Sequence, residues 1–371
     1  MTSTSMEDNI SAALRRIDGW IGQGGVRGVS AAVWHAGEMV AVHHAGDARA
    51  GEPVGDRTLF ALASVTKPVS ASTVVSLVDE GSLDLDSRVV DVAPEFAAAA
   101  TGPFEGERAS ITVRQLLSHT SGLPEDLPRG LFRRGEPPTL EQLTDAMLIL
   151  PLEYQPGTQL VYSNAGFGIL ARIVENVSGE HFWDRTWRRI LDPLAMRDTI
   201  DRPGPALDAR ITPVDDASNR GKPTEAYNSQ YWRDLGIPWG GLYGTALDMA
   251  TFAAAFLRPK NGPIARSLLE EMIRDQVDGV PGAVQSLRVS WPRASWGLGW
   301  ETKGHKRNHW TGNLTSPSTF CHFGATGTLL WADPDHDIAL AVLANRTTYH
   351  LWPFVPPRWA QLSDALIEAV R

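Results

Sequence analysis

The sequence predicts a mixed α/β (α+β) fold in which strands from both chain ends form one antiparallel sheet, flanked by terminal helices. Two observations support this prediction. The chain opens with a helical pattern followed by two strand-like segments, and it closes with two strand-like segments followed by a helical pattern. The residues in between are mostly helical in periodicity, which predicts a large helical subdomain inserted into the sheet-containing part.

The first element is an amphipathic helix. Ile10, Leu14, Ile17 and Ile21 recur at helical spacing behind Asn9, which we expect to be the N-cap. Alternating or β-branched runs that are bounded by turn residues predict two β-hairpins. The first pairs "GVSAAVW" with "EMVAVHHAG" near the start of the chain, and the second pairs "GTLLWAD" with "DIALAVLAN" near its end. The closing segment "PRWAQLSDALIEAVR" has apolar residues at helical spacing and predicts a C-terminal helix.

The middle of the chain contains several helical segments that are punctuated by Gly or Pro. They are "VSASTVVSLVDEG", "TVRQLLSHTSG", "LEQLTDAMLIL", "GFGILARIVENVSG" and "TALDMATFAAAFL". We therefore expect residues 1–371 to form a single unit. Residues 1–66 and 285–371 would form its α/β part, and residues 67–284 its mostly helical part.

Composition limits the function classes. The net charge of −9 and the lack of a basic stripe argue against binding nucleic acid or an anionic membrane, so we expect small-molecule partners. The single cysteine, Cys321, excludes an internal disulfide framework. The N-terminal residues lack a secretory signal pattern, and no apolar stretch approaches the roughly 20 residues that span a bilayer. A cytoplasmic protein without a membrane span is the resulting expectation.

The stretch "FALASVTKPV" contains a serine and a lysine three residues apart, Ser64 and Lys67. If a helix begins near Ser64, the two side chains share a face, and the lysine amine can reach the serine hydroxyl. A lysine becomes a base only when burial or a neighbouring cation lowers its pKa, and the apolar flanks could supply that burial. An ordinary helix start explains the same stretch, so the pair alone does not decide.

Two later segments could complete a catalytic site. In "PGTQLVYSNAGFGIL", Tyr162 could relay protons, and Asn164 could donate its amide to a substrate carbonyl. In "CHFGATGTLLWADP", a glycine-rich turn follows His322, and the amide of Ala325 could pair with that of Ser64 as an oxyanion hole. Each segment also has an ordinary explanation, namely a packed aromatic residue, a helix N-cap or an edge strand with a glycine bulge.

Taken together, Ser64-Val-Thr-Lys67, Tyr162-Ser-Asn164 and His322-Phe-Gly324 resemble the three active-site motifs of the serine β-lactamase and penicillin-binding-protein superfamily. The most similar branch is the class C β-lactamase-like (family VIII type) esterases. The resemblance extends over residues 26–346 and includes "LLSHTSGLP", "WGGLYGTALDMATF" and "WGLGW". It implies a β-lactamase/transpeptidase-like fold.

The resemblance also implies a mechanism. Ser64 would be the nucleophile that forms an acyl-enzyme, and Lys67 and Tyr162 would share general base and acid work. The amides of Ser64 and Ala325 would form the oxyanion hole, and Asn164, His322, Phe323 and Gly324 would contribute to substrate binding. The order in which Lys67 and Tyr162 take the first proton stays open.

The third motif departs from the Lys-Thr-Gly form of enzymes that process penicillins and peptidoglycan. His322 and Phe323 replace the lysine and the hydroxyl residue that help to hold a substrate carboxylate. We therefore expect a carboxylesterase for small uncharged acyl esters. Transfer of the acyl group to an amine or alcohol acceptor is the alternative, and a D-aminopeptidase, amidase or β-lactamase activity is a weaker one.

Several other residues are candidates for structural or substrate-binding roles. Trp232 and Trp239 are candidates for the wall of an acyl pocket, while "TALD" predicts a capping box with Thr245 as N-cap and Asp248 at N3. His119 is interpreted as a loop-fixing residue. We expect no catalytic metal and no cofactor, because zinc, phosphate-loop and dinucleotide motifs are all missing from the sequence. The absence of Gly-x-Ser-x-Gly argues against an α/β-hydrolase triad.

Overall fold

A seven-stranded antiparallel sheet joins the two ends of the chain. In a computed structural model, which describes residues 3–22, 25–97, 102–128, 130–132, 136–258, 262–348 and 354–371, twelve strands are present. They are β1 (Gly28–His35), β2 (Glu38–Arg49), β3 (Glu52–Pro53), β4 (Phe60–Ala61), β5 (Leu160–Val161), β6 (Tyr243–Gly244), β7 (Gly282–Val284), β8 (Val289–Trp291), β9 (Glu301–Thr302), β10 (Phe320–Gly324), β11 (Thr328–Asp333) and β12 (Ile338–Ala344).

The strand order is β3-β2-β1-β12-β11-β10-β9. Strand β1 pairs with β12 from Val29 opposite Ala344 to His35 opposite Ile338, so the first and last hairpins share the centre of the sheet. Both predicted hairpins are present, as β1 with β2 and as β11 with β12. Strand β10 agrees with the ordinary explanation of the "CHFG" segment as a strand, but it lies between β9 and β11 rather than at the edge of the sheet.

Eleven α-helices are described. They are α1 (Ser3–Leu14), α2 (Thr66–Asp79), α3 (Val89–Val92), α4 (Val113–Leu117), α5 (Leu140–Leu148), α6 (Asn164–Ser178), α7 (Phe182–Thr186), α8 (Gln230–Leu235), α9 (Ala246–Ala254), α10 (Arg266–Ile273) and α11 (Val355–Val370). Shorter 3₁₀ turns are interspersed, of which Arg15–Trp20 and Ala63–Val65 matter most here.

The terminal helices α1 and α11 pack together and share one apolar core with the sheet, which includes Ile10, Leu14, Leu340, Trp359 and Leu366. The predicted fold class is thereby confirmed, down to the antiparallel sheet from both chain ends and its terminal helices. The prediction that Asn9 caps the first helix is wrong. The helix begins at Ser3 and Asn9 lies in its interior, so the apolar spacing identified the buried face but not the start.

The helices between the two halves of the sheet enclose a second and larger core. Helix α9 packs against β1 and β12, and α2 packs against α6 and α7. Thr245 caps α9 as predicted, since its hydroxyl accepts from the Asp248 amide at 3.2 Å. The reciprocal half of the capping box is not formed. The Asp248 carboxylate instead accepts from the Asp198 amide at 2.8 Å and the Thr199 hydroxyl at 3.0 Å.

Two small sheets position the segments that the sequence marked as catalytic. Strand β4 pairs with β6 directly before the turn Ala63–Val65. Strand β5 pairs in parallel with β7, which pairs with β8, and the Tyr162 amide extends this pairing by donating to the Ala283 carbonyl at 3.1 Å. Residues from both small sheets and from β10 therefore meet at one end of α2.

Candidate active site

Ser64 lies in the turn Ala63–Val65 that leads into α2. It is half-buried, whereas the residues on both sides of it are buried. Ala63 has a φ of +48°, a left-handed conformation that is unfavourable for a residue with a Cβ. Such a conformation persists only where the surroundings hold it, and it is common at functional sites. The turn presents Ser64 at the start of the helix, where the free amides of the first turn favour negative charge.

Lys67 is completely buried and donates three hydrogen bonds. Its Nζ lies 3.2 Å from Ser64 Oγ, 2.7 Å from Asn164 Oδ1 and 2.8 Å from the Trp239 carbonyl oxygen. Burial lowers the pKa of Lys67 to about 7, although the negative charges of Asp126 and Glu125 act in the opposite direction and raise it. Near neutral pH a large fraction of the amine is therefore unprotonated and able to take the Ser64 proton.

Tyr162 follows β5, and its ring centroid lies 4.7 Å from Lys67 Nζ. Its neighbour Ser163 caps α6, accepting from the Gly166 amide at 3.1 Å. Asn164 is therefore the first residue of the helix rather than its cap. The tyrosine ring is also 5.9 Å from the ring of His322, so segments distant in sequence converge around Lys67.

His322 and Phe323 alternate on β10 and occupy opposite faces of the sheet. His322 is buried near Tyr162, and burial beside Lys67 lowers its pKa to about 3, so the imidazole is neutral. Its Nδ1 lies 2.9 Å from the Phe323 carbonyl oxygen, which identifies Nδ1 as the protonated nitrogen. His322 Nε2 then keeps a lone pair, and it is buried without a hydrogen-bond partner in the described part of the chain.

Phe323 packs on the other side of the strand, with its ring centroid 4.9 Å from Trp310 and 6.3 Å from Trp359. It belongs to the core beneath the terminal helices. The expectation that its ring contributes to substrate binding is therefore corrected. Successive side chains of a strand point to opposite faces, so His322 and Phe323 cannot both face the site.

Gly324 permits the close approach of β10 to the residues that precede the turn Ala63–Val65. A Cβ at this position would lie 2.4 Å from the Leu62 carbonyl oxygen and 2.3 Å from Thr328 Oγ1. Hydroxyls of the following residues hold the same contact, since Thr326 donates to the Ala61 carbonyl at 2.6 Å and Thr328 to the Leu62 carbonyl at 3.0 Å. The turn that contains Ala325 is thereby fixed beside the residues that precede Ser64.

Asn164 connects Lys67 to a carboxylate that the sequence analysis did not single out. Its Oδ1 accepts from Lys67, while its Nδ2 donates to Asp126 Oδ2 at 3.1 Å and its backbone amide donates to the Glu125 carbonyl at 2.7 Å. The Glu125 carboxylate accepts from the amide and the hydroxyl of Ser286, on the turn between β7 and β8. Two adjacent acidic residues in "LPEDLP" were the only signal in the sequence.

His119 fixes a loop, as interpreted, and also packs against the catalytic tyrosine candidate. Its Nδ1 accepts from the Ser163 amide at 3.0 Å, and its ring centroid lies 4.7 Å from that of Tyr162. Burial, together with Lys67 and His322, holds the pKa of His119 well below its usual range. A neutral imidazole with an accepting Nδ1 carries its proton on Nε2.

A largely apolar cavity of about 390 Å³ adjoins these residues. Both tryptophans proposed for an acyl pocket contribute to its wall. The lining residues are Asp126, Leu127, Pro128, Gly130, Leu131, Phe132, Leu143, Met147, Trp232, Leu235, Ile237 and Trp239. The cavity shares Trp239 and Asp126 with the hydrogen bonds around Lys67 and Asn164.

A buried group beneath β10 has ligand types that could bind a metal. Ligand atoms of Glu301, His309 and Cys321 lie within 4.8 Å of one another. Lys306 Nζ is 2.6 Å and His309 Nε2 is 3.0 Å from the same Glu301 oxygen. The lysine thus already supplies the counter-charge of the buried carboxylate, and we interpret this group as a structural ion pair.

The chain matches the Beta-lactamase family model over residues 6–361 and therefore belongs to the β-lactamase family. It is 32% identical over 260 residues to penicillin-binding protein 4 of Amycolatopsis lactamdurans, covering 67% of this chain and 64% of that protein. It is 28% identical over 317 residues to a putative D-alanyl-D-alanine carboxypeptidase of Escherichia coli strain K12, covering 78% and 69%. The chain thus spans just under two thirds of the first relative.

A solved family VIII carboxylesterase superposes with a TM-score of 0.72 at 22% identity, covering 99% of this chain and 97% of that one. These similarities confirm the family and the fold that the motifs predicted. Within the described part of the chain, every helix falls short of the length and apolar character needed to cross a membrane.

Proposed function

We propose that the protein is a serine carboxylesterase that forms an acyl-enzyme at Ser64. The observation that supports this most directly is the position of Lys67 Nζ, 3.2 Å from Ser64 Oγ, on a lysine whose pKa burial lowers to about 7. A base with a pKa near the working pH is effective in general base catalysis. The adjoining apolar cavity supports an acyl group without an anionic substituent.

The proposed reaction has two halves. In the first, Lys67 takes the Ser64 proton while Oγ attacks the ester carbonyl, and the amides of Ser64 and Ala325 stabilise the oxyanion. The alcohol then leaves with a proton supplied through Lys67 or Tyr162. In the second half, a water molecule attacks the acyl-enzyme, its proton passes to the same groups, and the carboxylic acid is released.

The surroundings of Lys67 favour esters over substrates that carry a carboxylate. Where enzymes that process penicillins have a lysine, His322 is neutral and presents a lone pair on Nε2. The carboxylates of Asp126 and Glu125 also lie close enough to Lys67 to influence its pKa. A substrate anion would therefore meet an acceptor and two like charges rather than a cation, which disfavours its binding.

Chromogenic acetate and butyrate esters test the proposal. The protein should hydrolyse them and gain the mass of the acyl group when the reaction is quenched, and Ser64→Ala should lose both properties. Ser72→Ala is a matched control, because the Ser72 hydroxyl donates only to the Pro68 carbonyl of its own helix. Its turnover should stay within about twofold of the wild type.

Parallel assays with nitrocefin and a D-alanyl-D-alanine peptide compare the other activities of this superfamily. A preference for either over the esters, or equal ester turnover by Ser64→Ala, would contradict the proposal. Adding an alcohol or amine acceptor to the same reactions measures acyl transfer, which proceeds through the same acyl-enzyme and is distinguished from hydrolysis by its products.

A further inference from the structure

We propose that Asp126 and the adjoining cavity form a subsite for an acyl group that has an apolar chain and a protonated amine. This inference rests on the proposed acyl-enzyme at Ser64, and it narrows the class of acyl donor. It also revises the expectation of an uncharged acyl group, since Asp126 adds a recognition element for a cation.

The chemistry of the cavity wall suggests such a ligand. Eleven of the twelve described lining residues are apolar or aromatic, and Asp126 is the one with a charge. Apolar walls with a single polar group are typical of sites that bind the body of a ligand by burial and fix its orientation at one point. A carboxylate at that point selects a ligand with a positive charge.

Asp126 is available to such a ligand. Its Oδ2 accepts from Asn164 Nδ2 at 3.1 Å, and its Oδ1 accepts from the Leu127 amide at 2.8 Å. An ionised carboxylate accepts about four hydrogen bonds, so each oxygen retains capacity. The residue is exposed and forms no salt bridge with any described side chain. Neither of its partners neutralises its charge.

Glu125 is the informative contrast. It also carries a carboxylate close to Lys67, but the amide and hydroxyl of Ser286 occupy its two oxygens at 2.9 and 2.5 Å. It is not among the residues that line the cavity. Asp126 and Glu125 thus carry the same charge but differ in position, so the effects of neutralising each carboxylate can be compared directly.

The subsite is continuous with the reacting centre. The side-chain amide of Asn164 links Lys67 to Asp126 by hydrogen bonds to both. Trp239, which lines the cavity, accepts a hydrogen bond from Lys67 through its carbonyl oxygen. An acyl chain that extends from Ser64 into the cavity would enter a space whose wall includes Asp126. The covalent chemistry is that of the proposed esterase. The Ser64 Oγ to acyl carbon bond forms, the ester carbon to alkoxy oxygen bond breaks, the Ser64 proton leaves with the alcohol, and the amine stays protonated.

Pairs of esters with a common carbon skeleton test the inference. Leucine methyl ester is compared with methyl 4-methylpentanoate, and methyl 3-amino-5-methylhexanoate with methyl 5-methylhexanoate, at about pH 6.5 where the α-amine is largely protonated. The kcat/KM for each ester is divided by the rate constant for hydroxide-catalysed hydrolysis of the same ester, which corrects for the intrinsic reactivity of that ester. The wild type should prefer at least one amino ester over its partner by roughly tenfold or more.

Asp126→Asn should reduce that ratio to about twofold or less, because the substitution keeps the shape and an oxygen for Asn164 but removes the charge. The ratio compares two esters on one variant, so changes in the shared chemistry cancel. Glu125→Gln is the matched control and should retain the wild-type ratio.

Wild-type ratios near or below one for both pairs would overturn the inference, as would an unchanged ratio in Asp126→Asn. Hydrolysis of the amine-free esters in that case leaves the proposed esterase function intact. Failure to hydrolyse any of the four esters, with no acyl mass on Ser64, would instead refute the esterase function and the subsite with it.

Discussion

Lys67 donates to the carbonyl oxygen of Trp239 at 2.8 Å, so the proposed catalytic base is bonded directly to the wall of the cavity. The lysine is also bonded to Ser64 and Asn164, and it is completely buried. The candidate catalytic base and the candidate substrate cavity therefore share one network of contacts. Changes to the wall are expected to influence the base, and changes of charge near the base are expected to influence selection.

The pH dependence of ester hydrolysis should reflect Lys67. Because its pKa is lowered to about 7 and only the unprotonated amine acts as a base, kcat/KM should rise with pH and reach half its maximum near pH 7. Asp126 and Glu125 raise this pKa, so Asp126→Asn and Glu125→Gln should each move the acidic limb to lower pH. A limb that moves to higher pH would contradict this assignment. Glu38→Gln, an exposed position on β2, serves as the control.

Lys67→Met should abolish hydrolysis and increase stability. The pKa of Lys67 is 10.5 in the unfolded chain and about 7 in the fold, so protonation favours unfolding. The stability lost is on the order of 5 kcal/mol and is fully expressed below pH 7. In Lys67→Met the Asn164 Oδ1 and the Trp239 carbonyl oxygen lose their hydrogen-bond donor, which offsets part of this gain. The net increase in the free energy of unfolding should be about 1–3 kcal/mol.

Urea unfolding at several pH values measures this effect. The advantage of Lys67→Met should be largest below pH 7 and shrink as the pH rises toward 10.5, because the unfolded lysine then also loses its proton. A variant that is less stable than the wild type at pH 6 would show that the hydrogen bonds of Lys67 outweigh the cost of burying its charge.

Gly324→Ala should lower kcat more than it changes KM. The new Cβ would lie 2.4 Å from the Leu62 carbonyl oxygen, so β10 and its following turn must move away from Ser64. Misplacing an oxyanion donor costs about 10²-fold in rate. Gly106→Ala has no atom within 4 Å of its new Cβ and is the matched control. Equal kinetics in the two variants would contradict the role of this close approach.

Leu143→Trp should shift the preference of the enzyme toward shorter acyl chains. Leu143 lies on α5 and lines the cavity, and a larger side chain would occupy part of its volume of about 390 Å³. We expect kcat/KM for octanoate to fall by roughly tenfold relative to acetate, in line with the loss of several buried methylenes. Leu140→Trp changes the same helix but faces a different cavity, so its chain-length profile should match the wild type.

The local sequence was sufficient where neighbouring residues determine the structure. Ser64 and Lys67 are separated by one helical turn, so helix geometry alone places their side chains together. The two hairpins and the terminal helices followed from periodicity, because each buries one face against the same sheet. The ordered motifs then indicated the family before any contact was known.

Local sequence patterns left strand β10 undecided between a strand and a substrate-binding turn, and they did not indicate the face of the sheet that Phe323 occupies. Phe320–Gly324 is buried on both sides, so it lacks the alternation by which a half-buried strand is identified. Phe323 was grouped with His322 because the two are adjacent in sequence. Pleating sends their side chains to opposite faces, and only the position of α11 and Trp310 explains the side that Phe323 occupies.

The sequence by itself determined the sheet from both chain ends, the candidate nucleophile segment and the family, because these depend on periodicity and on short spacings. Only the tertiary structure decided that Asp126 approaches Lys67 through Asn164, that burial lowers the lysine pKa, and that an apolar cavity begins at Trp239. These features arise where α2, α5, α6 and the loop around residue 125 meet. Burial and charge at such a junction depend on all of these segments together.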